Sequence, residues 1–411
     1  MRIRRARPLL ASLAFLVGTA VTALAAQRDE RVFAAAEKFR ADGVRLLERL
    51  VNIDSGTGHA SGLDQVAGIV AAELEKLGGR VELMPAAPVA GKNVVATFTG
   101  SGKGRVLMIA HMDTVWPVGE AARRPFRIEG ERAYGPGVND NKSGVVTGIG
   151  ALRVLHETGF RDFATVTFLV NCNEETGSLG TRQLMQNLAR KHDIALNLES
   201  GRPGDALISA RKGSGVIEVT VKGKASHAGN APEAGRNAAM EAAHQMLQLA
   251  RLADASKGTT INFTIIHAGD RPNVIPDQAV AHADVRVVAE EEFRRLERDL
   301  VAAAQNKLIP ECEVTVKLIP AFSPFMRNAA TDALIERTRP LYAEIERSLG
   351  ALAVGGAADS SITSAVGTPT LDGLGIVGGG GHSLDEYMEL GSVVPRVYLL
   401  ARLVMTMGAG R

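Results

Sequence analysis

The chain has 411 residues, of which 45% are hydrophobic, 22% charged and only 4% aromatic, and its formal net charge is +2. A chain of this length exceeds one compact core and calls for about two domains. The near-neutral balance offers nucleic acid no electrostatic footing, and the shortage of aromatic side chains removes the stacking platforms that single strands use.

Residues 1–26 read as a unit of their own. Arg2, Arg4, Arg5 and Arg7 form a basic start, Leu9 to Leu24 an apolar run, and Ala23-Leu24-Ala25 offers small residues for cleavage ahead of polar Gln27 to Glu30. This is the order of a secretory signal peptide. The competing reading, an uncleaved anchor, is weakened by Gly18, Thr19 and Thr22, which break a run already short for a bilayer. The expectation is a periplasmic or secreted protein with no membrane attachment after cleavage and no later spanning segment. The two cysteines, Cys172 and Cys312, lie far apart in sequence and read as free, buried thiols rather than a disulfide framework.

From 27 to 212 helices and strands alternate. Helical periodicity covers Val32 to Leu50 and Leu63 to Leu77. Strands follow at Asn93 to Phe98 and Arg105 to Ala110, then a helix at Ser143 to Thr158, a strand at Ala164 to Val170 and a helix at Leu179 to Arg190. Almost wholly apolar strands separated by helices imply a mixed, largely parallel sheet covered on both faces. The order changes in 213–324. Val216 to Val221, Gly235 to Leu252, Thr260 to His267, Gln278 to Val287, Glu290 to Leu308 and Glu313 to Leu318 read as β-α-β-β-α-β, a ferredoxin-like insertion. The α/β pattern resumes in 325–411 with helices at Thr331 to Leu349 and Pro395 to Met407. The expected fold is an α/β catalytic domain interrupted by an α+β domain.

Five acidic or histidine-bearing motifs fall at strand ends or in adjoining loops, where α/β folds place ligands. His111-Met112-Asp113 follows the apolar strand, and residues two apart on extended backbone share a side, so Asp113 could orient a metal-binding His111. Asp140 lies in a glycine-rich turn before a helix, placed either to bridge cations or simply to cap the helix. Glu174 and Glu175 are adjacent carboxylates that repel each other unless a cation is near; one could bind it while the other serves as general base. Glu199 closes a short apolar strand, and His382 follows four glycines. Each is weak alone.

Together, the H-x-D, N-D-N-K-x-G, N-E-E-x-G-S-x-G, L-E-S and G-H-S elements resemble the M20 metallopeptidase family, and within it the glutamate carboxypeptidase group. The resemblance spans the whole mature chain and implies a zinc-peptidase-like catalytic domain with an inserted dimerisation lid. It also implies two zinc ions per subunit, with cobalt or manganese as substitutes. Asp140 would bridge them, His111 and Glu199 would complete one site, and Glu175 and His382 the other. Glu174 would be the general base that activates water, with Asp113 steadying His111. The family also carries a cis peptide after the bridging aspartate, here Asp140–Asn141.

In the lid, Gly223 to Gly229 matches a family element whose histidine, His227, reaches into the partner subunit's site of a homodimer and steadies the oxyanion. Asn273 and Arg286 would grip the carboxylate of the departing amino acid, although Arg286 could instead pair with Asp284 or Glu290. Two departures bear on the substrate: Ile319 and Leu207 stand where the glutamate enzymes carry cations, with Arg211 and Lys212 nearby as possible replacements. The resemblance therefore implies a carboxypeptidase acting on a peptide or N-acyl amino acid, with glutamate or a neutral or hydrophobic residue at the C-terminus. An aminopeptidase or amidohydrolase on the same metal centre is the alternative. A non-catalytic binding protein fits poorly with a complete set of ligands and base.

Overall fold

In a computed structural model, residues 27–410 are described, so the expected signal peptide lies outside the described residues. The main sheet has six strands in the order Arg80–Pro85, Lys92–Thr99, Thr165–Asn171, Arg105–His111, Ile194–Asn197 and Thr370–Leu371. The last four are paired in parallel, and Lys92–Thr99 alone runs against the rest, pairing antiparallel with both of its neighbours, so the sheet is mixed and largely parallel as expected.

The apolar run of Arg105–His111 follows from its central position. Val106, Met108 and Ala110 join the large core with Phe39, Ile149 and Val397, which come from the helices Glu30–Val51, Lys142–Thr158 and Val393–Gly408. Leu107 and Ile109 face the other way, onto Met185 of the helix Arg182–Ala189 and Ile362 of the helix Ser360–Ala365. A strand covered on both faces carries no polar alternation. Its parallel pairing with Thr165–Asn171 and Ile194–Asn197 brings the three carboxyl ends to one edge, and their loops become neighbours there.

Residues 213–322 form a four-stranded antiparallel sheet in the order Thr260–Ala268, Gln278–Val287, Gly213–Lys222, Glu313–Phe322. Alternate residues of Gln278–Val287 (Ala279, Ala281, Ala283, Val285 and Val287) point into a separate core with Leu249 and Leu296 of the helices Ala238–Leu249 and Glu290–Ala303. This is the β-α-β-β-α-β order, with one face of the sheet left uncovered.

Some boundaries differ from the sequence reading. The helix expected to reach Leu349 ends at Ala343, Glu346 takes a left-handed conformation (φ 58), and Gly350–Val354 becomes a strand parallel to Ala206–Arg211. The helix expected from Leu179 begins at Arg182, because Ser178, also left-handed (φ 55), turns its hydroxyl into the site described below. A small sheet of Arg127–Glu129, Arg132–Tyr134, Gly378–Gly379 and Tyr387–Glu389 was not expected. The stretch Leu390–Gly408 is also long and apolar enough by composition to cross a bilayer, which corrects the expectation that no later segment would be; most of it is buried inside the fold, as a core helix is. Cys172 and Cys312 are both free and buried.

Candidate metal centre

His111 ends the central strand with its ring buried. Nε2 lies 3.1 Å from Asp140 Oδ1 and 3.3 Å from Glu199 Oε1. Nδ1 faces back to Asp113, 3.1 Å from its carbonyl oxygen and 3.4 Å from Oδ1. Asp113 does more than orient the ring: its carboxylate accepts the Thr57 hydroxyl at 2.6 Å and the backbone N–H groups of Glu174 and Glu175 at 3.0 and 3.1 Å. It therefore ties the first motif to the third. Burial alone would depress the His111 imidazole, but Asp113, Asp140 and Glu199 outweigh it and push its pKa well above the usual value.

Asp140 lies in the turn before the helix Lys142–Thr158, and the peptide bond to Asn141 is cis. Capping falls to Asn141, whose Oδ1 accepts the Gly144 N–H at 3.1 Å, so Asp140 is not the cap. Its second oxygen, Oδ2, is 3.2 Å from His382 Nε2, and that nitrogen is 3.1 Å from Glu175 Oε2. Two donor groups result, His111–Asp140–Glu199 and Asp140–Glu175–His382, each with its ligand atoms within 4.8 Å of one another. Asp140 belongs to both, one oxygen turned to each histidine. Burial opposes ionisation of Asp140, but the two imidazoles overcome it and hold the carboxyl far below its ordinary range. His382, half exposed and in a left-handed conformation (φ 63), is pushed up to about 10 by Asp140 and Glu175.

Glu174 is buried among these groups, and its side chain makes no hydrogen bond or ion pair among the described residues. Burial raises its pKa well above the carboxylate range, opposed by His111 and reinforced by Asp359, Glu199 and Glu175. Glu175 Oε1 is buried without a hydrogen-bond partner, although Oε2 meets His382. An unpaired buried carboxylate oxygen within a two-histidine, three-carboxylate donor set fits a cation. Imidazole with carboxylate suits zinc, and also cobalt or manganese.

Three buried groups behind the donors were absent from the sequence reading in these roles. Asp359 accepts the Ser178 hydroxyl at 2.5 Å and Asn171 Nδ2 at 2.8 Å, fastening the loop that carries Glu174 and Glu175. Arg211, 4% exposed, pairs with Asp372 at 2.7 and 3.3 Å and lies 3.6 Å from Glu199 Oε2. Glu386 accepts backbone N–H groups of the Asp140 turn. Each partner is remote in sequence, so no local motif signals the contact.

The chain matches the model of peptidase family M20/M25/M40 over residues 107–406, which contains all five donors, Glu174 and the inserted sheet. The chain belongs to this family. It is 38% identical over 402 residues to carboxypeptidase G2 of Pseudomonas sp. (strain RS-16), covering 97% of this chain and 96% of that one. Acetylornithine deacetylase of Proteus mirabilis is 32% identical over 231 residues, or 52% of this chain and 57% of that one. Among solved structures, human carnosine dipeptidase 1 shares the fold at a TM-score of 0.74 and 16% identity, covering 92% of this chain and 99% of its own. The protein is therefore a hydrolase of the M20 metallopeptidase type.

The three residues expected to act from the inserted domain stand apart from the donor cluster. His227 is exposed on a two-residue ladder with Val274, and its Nδ1 accepts the N–H groups of Gly229 and Asn230 at 3.1 and 3.0 Å. Its remaining donor is therefore Nε2–H. Asn273 is exposed beside it, with its carbonyl accepting Ala228 N–H at 2.9 Å. Arg286 is clasped by Asp284 in three hydrogen bonds of 2.9–3.1 Å, one of the two pairings open from sequence. Among the described residues, none of the three bonds to the cluster.

Two specificity expectations are corrected. Leu207 is wholly buried in the main core, opposite Ala351. Arg211 is spent on Asp372, and Lys212 donates to the Gly258 carbonyl at 2.6 Å, so neither replaces a pocket cation. Ile319 is half exposed on the uncovered face of the four-stranded sheet, paired with the exposed Val216.

Proposed function

We propose that the chain is an exported two-zinc carboxypeptidase that hydrolyses the amide bond to a C-terminal amino acid of a peptide or N-acyl amino acid. The observation that carries this reading is the shared Asp140, which joins two histidine–carboxylate groups beside an unpaired buried Glu174. The likeness to a carboxypeptidase along nearly the whole chain supports the direction of cleavage.

His111, Asp140 and Glu199 would hold one cation and Asp140, Glu175 and His382 a second, and such ions, when bound, would supply Lewis acidity toward a carbonyl and toward water. Glu174 takes the proton from the attacking water and delivers it to the nitrogen as the C–N bond breaks. Buried beside both donor groups with its side chain unpaired, Glu174 is placed to accept a proton and return it. Asp113 keeps this base in register with His111, because one carboxylate holds both. His227 presents Nε2–H to the developing oxyanion, acting across a homodimer in the second copy's site. Arg286, with its guanidinium fixed by Asp284, and Asn273 receive the C-terminal carboxylate.

The side chain of the released residue rests on Val216 and Ile319, an apolar pair one row from Arg286 on the same open face. This favours a neutral or hydrophobic residue over glutamate. The test is release of amino acid from a panel of N-blocked C-terminal residues, including folate glutamate, with and without chelator. Chelator-sensitive release of apolar residues is expected. Exclusive release of glutamate would reverse the specificity reading. Activity confined to substrates with a free N-terminus would replace it with an aminopeptidase.

Export rests on the basic, apolar, small-residue order of residues 1–26. Cell fractionation is expected to find the shortened chain in the periplasm or medium. Full-length chain in the membrane fraction would favour an anchor.

A further inference from the structure

Glu386 is 1% exposed and has no cationic partner among the described residues, yet its carboxylate accepts four hydrogen bonds. Oε1 receives the N–H groups of Asn139 and Asp140, both at 2.9 Å. Oε2 receives Gly137 N–H at 3.0 Å and the Trp116 indole N–H at 3.3 Å. Four donors fill the lone-pair sites a carboxylate offers. Three of them come from the single turn that ends in Asp140, where Gly137 at φ 73 lets the chain curl so that successive N–H groups converge on one anion.

Glu386 itself lies four residues beyond His382, on the loop that delivers this histidine to Asp140 and Glu175. The anion thus joins two segments remote in sequence, each carrying a donor of the centre. A lid of side chains covers the junction: the Arg124 guanidinium stacks 4.1 Å over the Trp116 ring and donates to the Leu384 carbonyl at 3.3 Å.

We propose that Glu386 is a positioning residue that locks the Asp140 turn and the His382 loop into one unit, so that it governs cation affinity, and that Trp116 reports the state of this junction. The inference rests on the two-metal reading above. A carboxylate that only satisfied buried N–H groups would serve anywhere in the turn. Here the bonded N–H is that of the shared donor itself, and the tether runs to the loop of another donor. A shift at Glu386 therefore misplaces Asp140 in both groups at once. Because Trp116 is the sole tryptophan, its emission is an unmixed signal from the same carboxylate.

The experiment titrates zinc into chelator-stripped, full mature protein, following Trp116 emission and zinc per chain, for wild type, Glu386→Gln and Glu386→Asp, with far-UV circular dichroism confirming the fold. Wild type is expected to bind two zinc ions with a change in emission that tracks occupancy. Glu386→Gln keeps the shape but turns an amide N–H toward backbone N–H groups, and should weaken zinc binding about 10- to 100-fold, the range for partners that orient metal ligands. Glu386→Asp restores the anion on a shorter arm and should recover part of that loss. If the Gln variant fails to fold, the Asp variant decides, with weakened binding expected. Unchanged zinc affinity in a folded variant, or emission that is silent as wild type fills, overturns the proposal while the two-metal reading stands. Wild type that binds no zinc overturns the two-metal reading itself.

Discussion

Glu174 and Glu175 are adjacent, but their side chains meet different surroundings. Glu175 directs one oxygen to His382, whereas Glu174 meets no side-chain partner and is held only through its backbone by Asp113. That separation predicts the phenotype of Glu174→Gln: turnover should fall by about 10²–10⁴-fold, the usual worth of a general base, with two metals still bound by elemental analysis. Loss of metal with activity would instead make Glu174 a ligand. Arg211 is the complementary case, a buried cation held among carboxylates. It is enclosed by Asp372 and Glu199, and removing one partner of a buried pair leaves an uncompensated charge costing about 3–5 kcal/mol. Arg211→Met should lower stability in urea unfolding by that order, and Arg211→Lys should recover little, because a point charge cannot reproduce the forked contact with Asp372. A neutral effect would show that Asp372 is held well enough by Ser360 and the Gly373 N–H alone.

At the scale of elements, His192 shows how a helix end is fastened to the sheet. Following the helix Arg182–Ala189, its Nδ1–H donates to the Leu188 carbonyl at 2.7 Å, and its Nε2 lies 2.9 Å from the Thr167 hydroxyl, from which the neutral imidazole accepts. Burial holds its pKa below the usual 6.5. The unfolded chain therefore takes up the proton first, so the stability His192 confers is complete above the unfolded value and drains away as pH falls from there through the folded one. Urea unfolding at about pH 7.5 and pH 5.5 should show a larger loss for wild type than for His192→Gln; equal losses would exclude His192 as a source of acid sensitivity. The same element logic explains what was legible in advance. Strands such as Arg105–His111 announce themselves because burial on both faces demands an unbroken apolar run, and the donors sit where those strands end. The strands Gly378–Gly379 and Tyr387–Glu389, of two and three residues, are too short to carry a periodicity. Neither Asp359, 181 positions from Ser178, nor Glu386, 246 from Asp140, is linked to its partner by anything but the fold. Likeness of position does not fix surroundings: Leu207 aligns with a cation of the glutamate enzymes, yet its side chain lies in the core.

For the whole molecule, the oxyanion role proposed for His227 calls for a second copy, because this exposed histidine of the inserted domain bonds only to its own loop. Thr260–Ala268 is an edge strand of nine residues with Ile265 and Ile266 exposed, a surface that proteins ordinarily cover. A homodimer formed through this lid would cover it and carry His227 of each copy to the other's centre. Such an arrangement makes a prediction that simple loss of activity cannot. Glu174→Gln and His227→Ala should each be inactive as pure dimers. In the mixed dimer, one site inherits both defects, while the other has an intact Glu174 and receives an intact His227. Dissociated and reassociated in equal amounts, the two variants form half mixed dimers by random pairing, each with one whole site. Activity should therefore return to about a quarter of wild type. Light scattering after size-exclusion chromatography supplies the companion measurement, with a dimer expected for wild type and a shift to monomer for the pair Ile265→Lys and Ile266→Lys. If remixing restores nothing while the dimer persists, His227 does not act across the subunits, and the role proposed for it in the second copy's site is overturned.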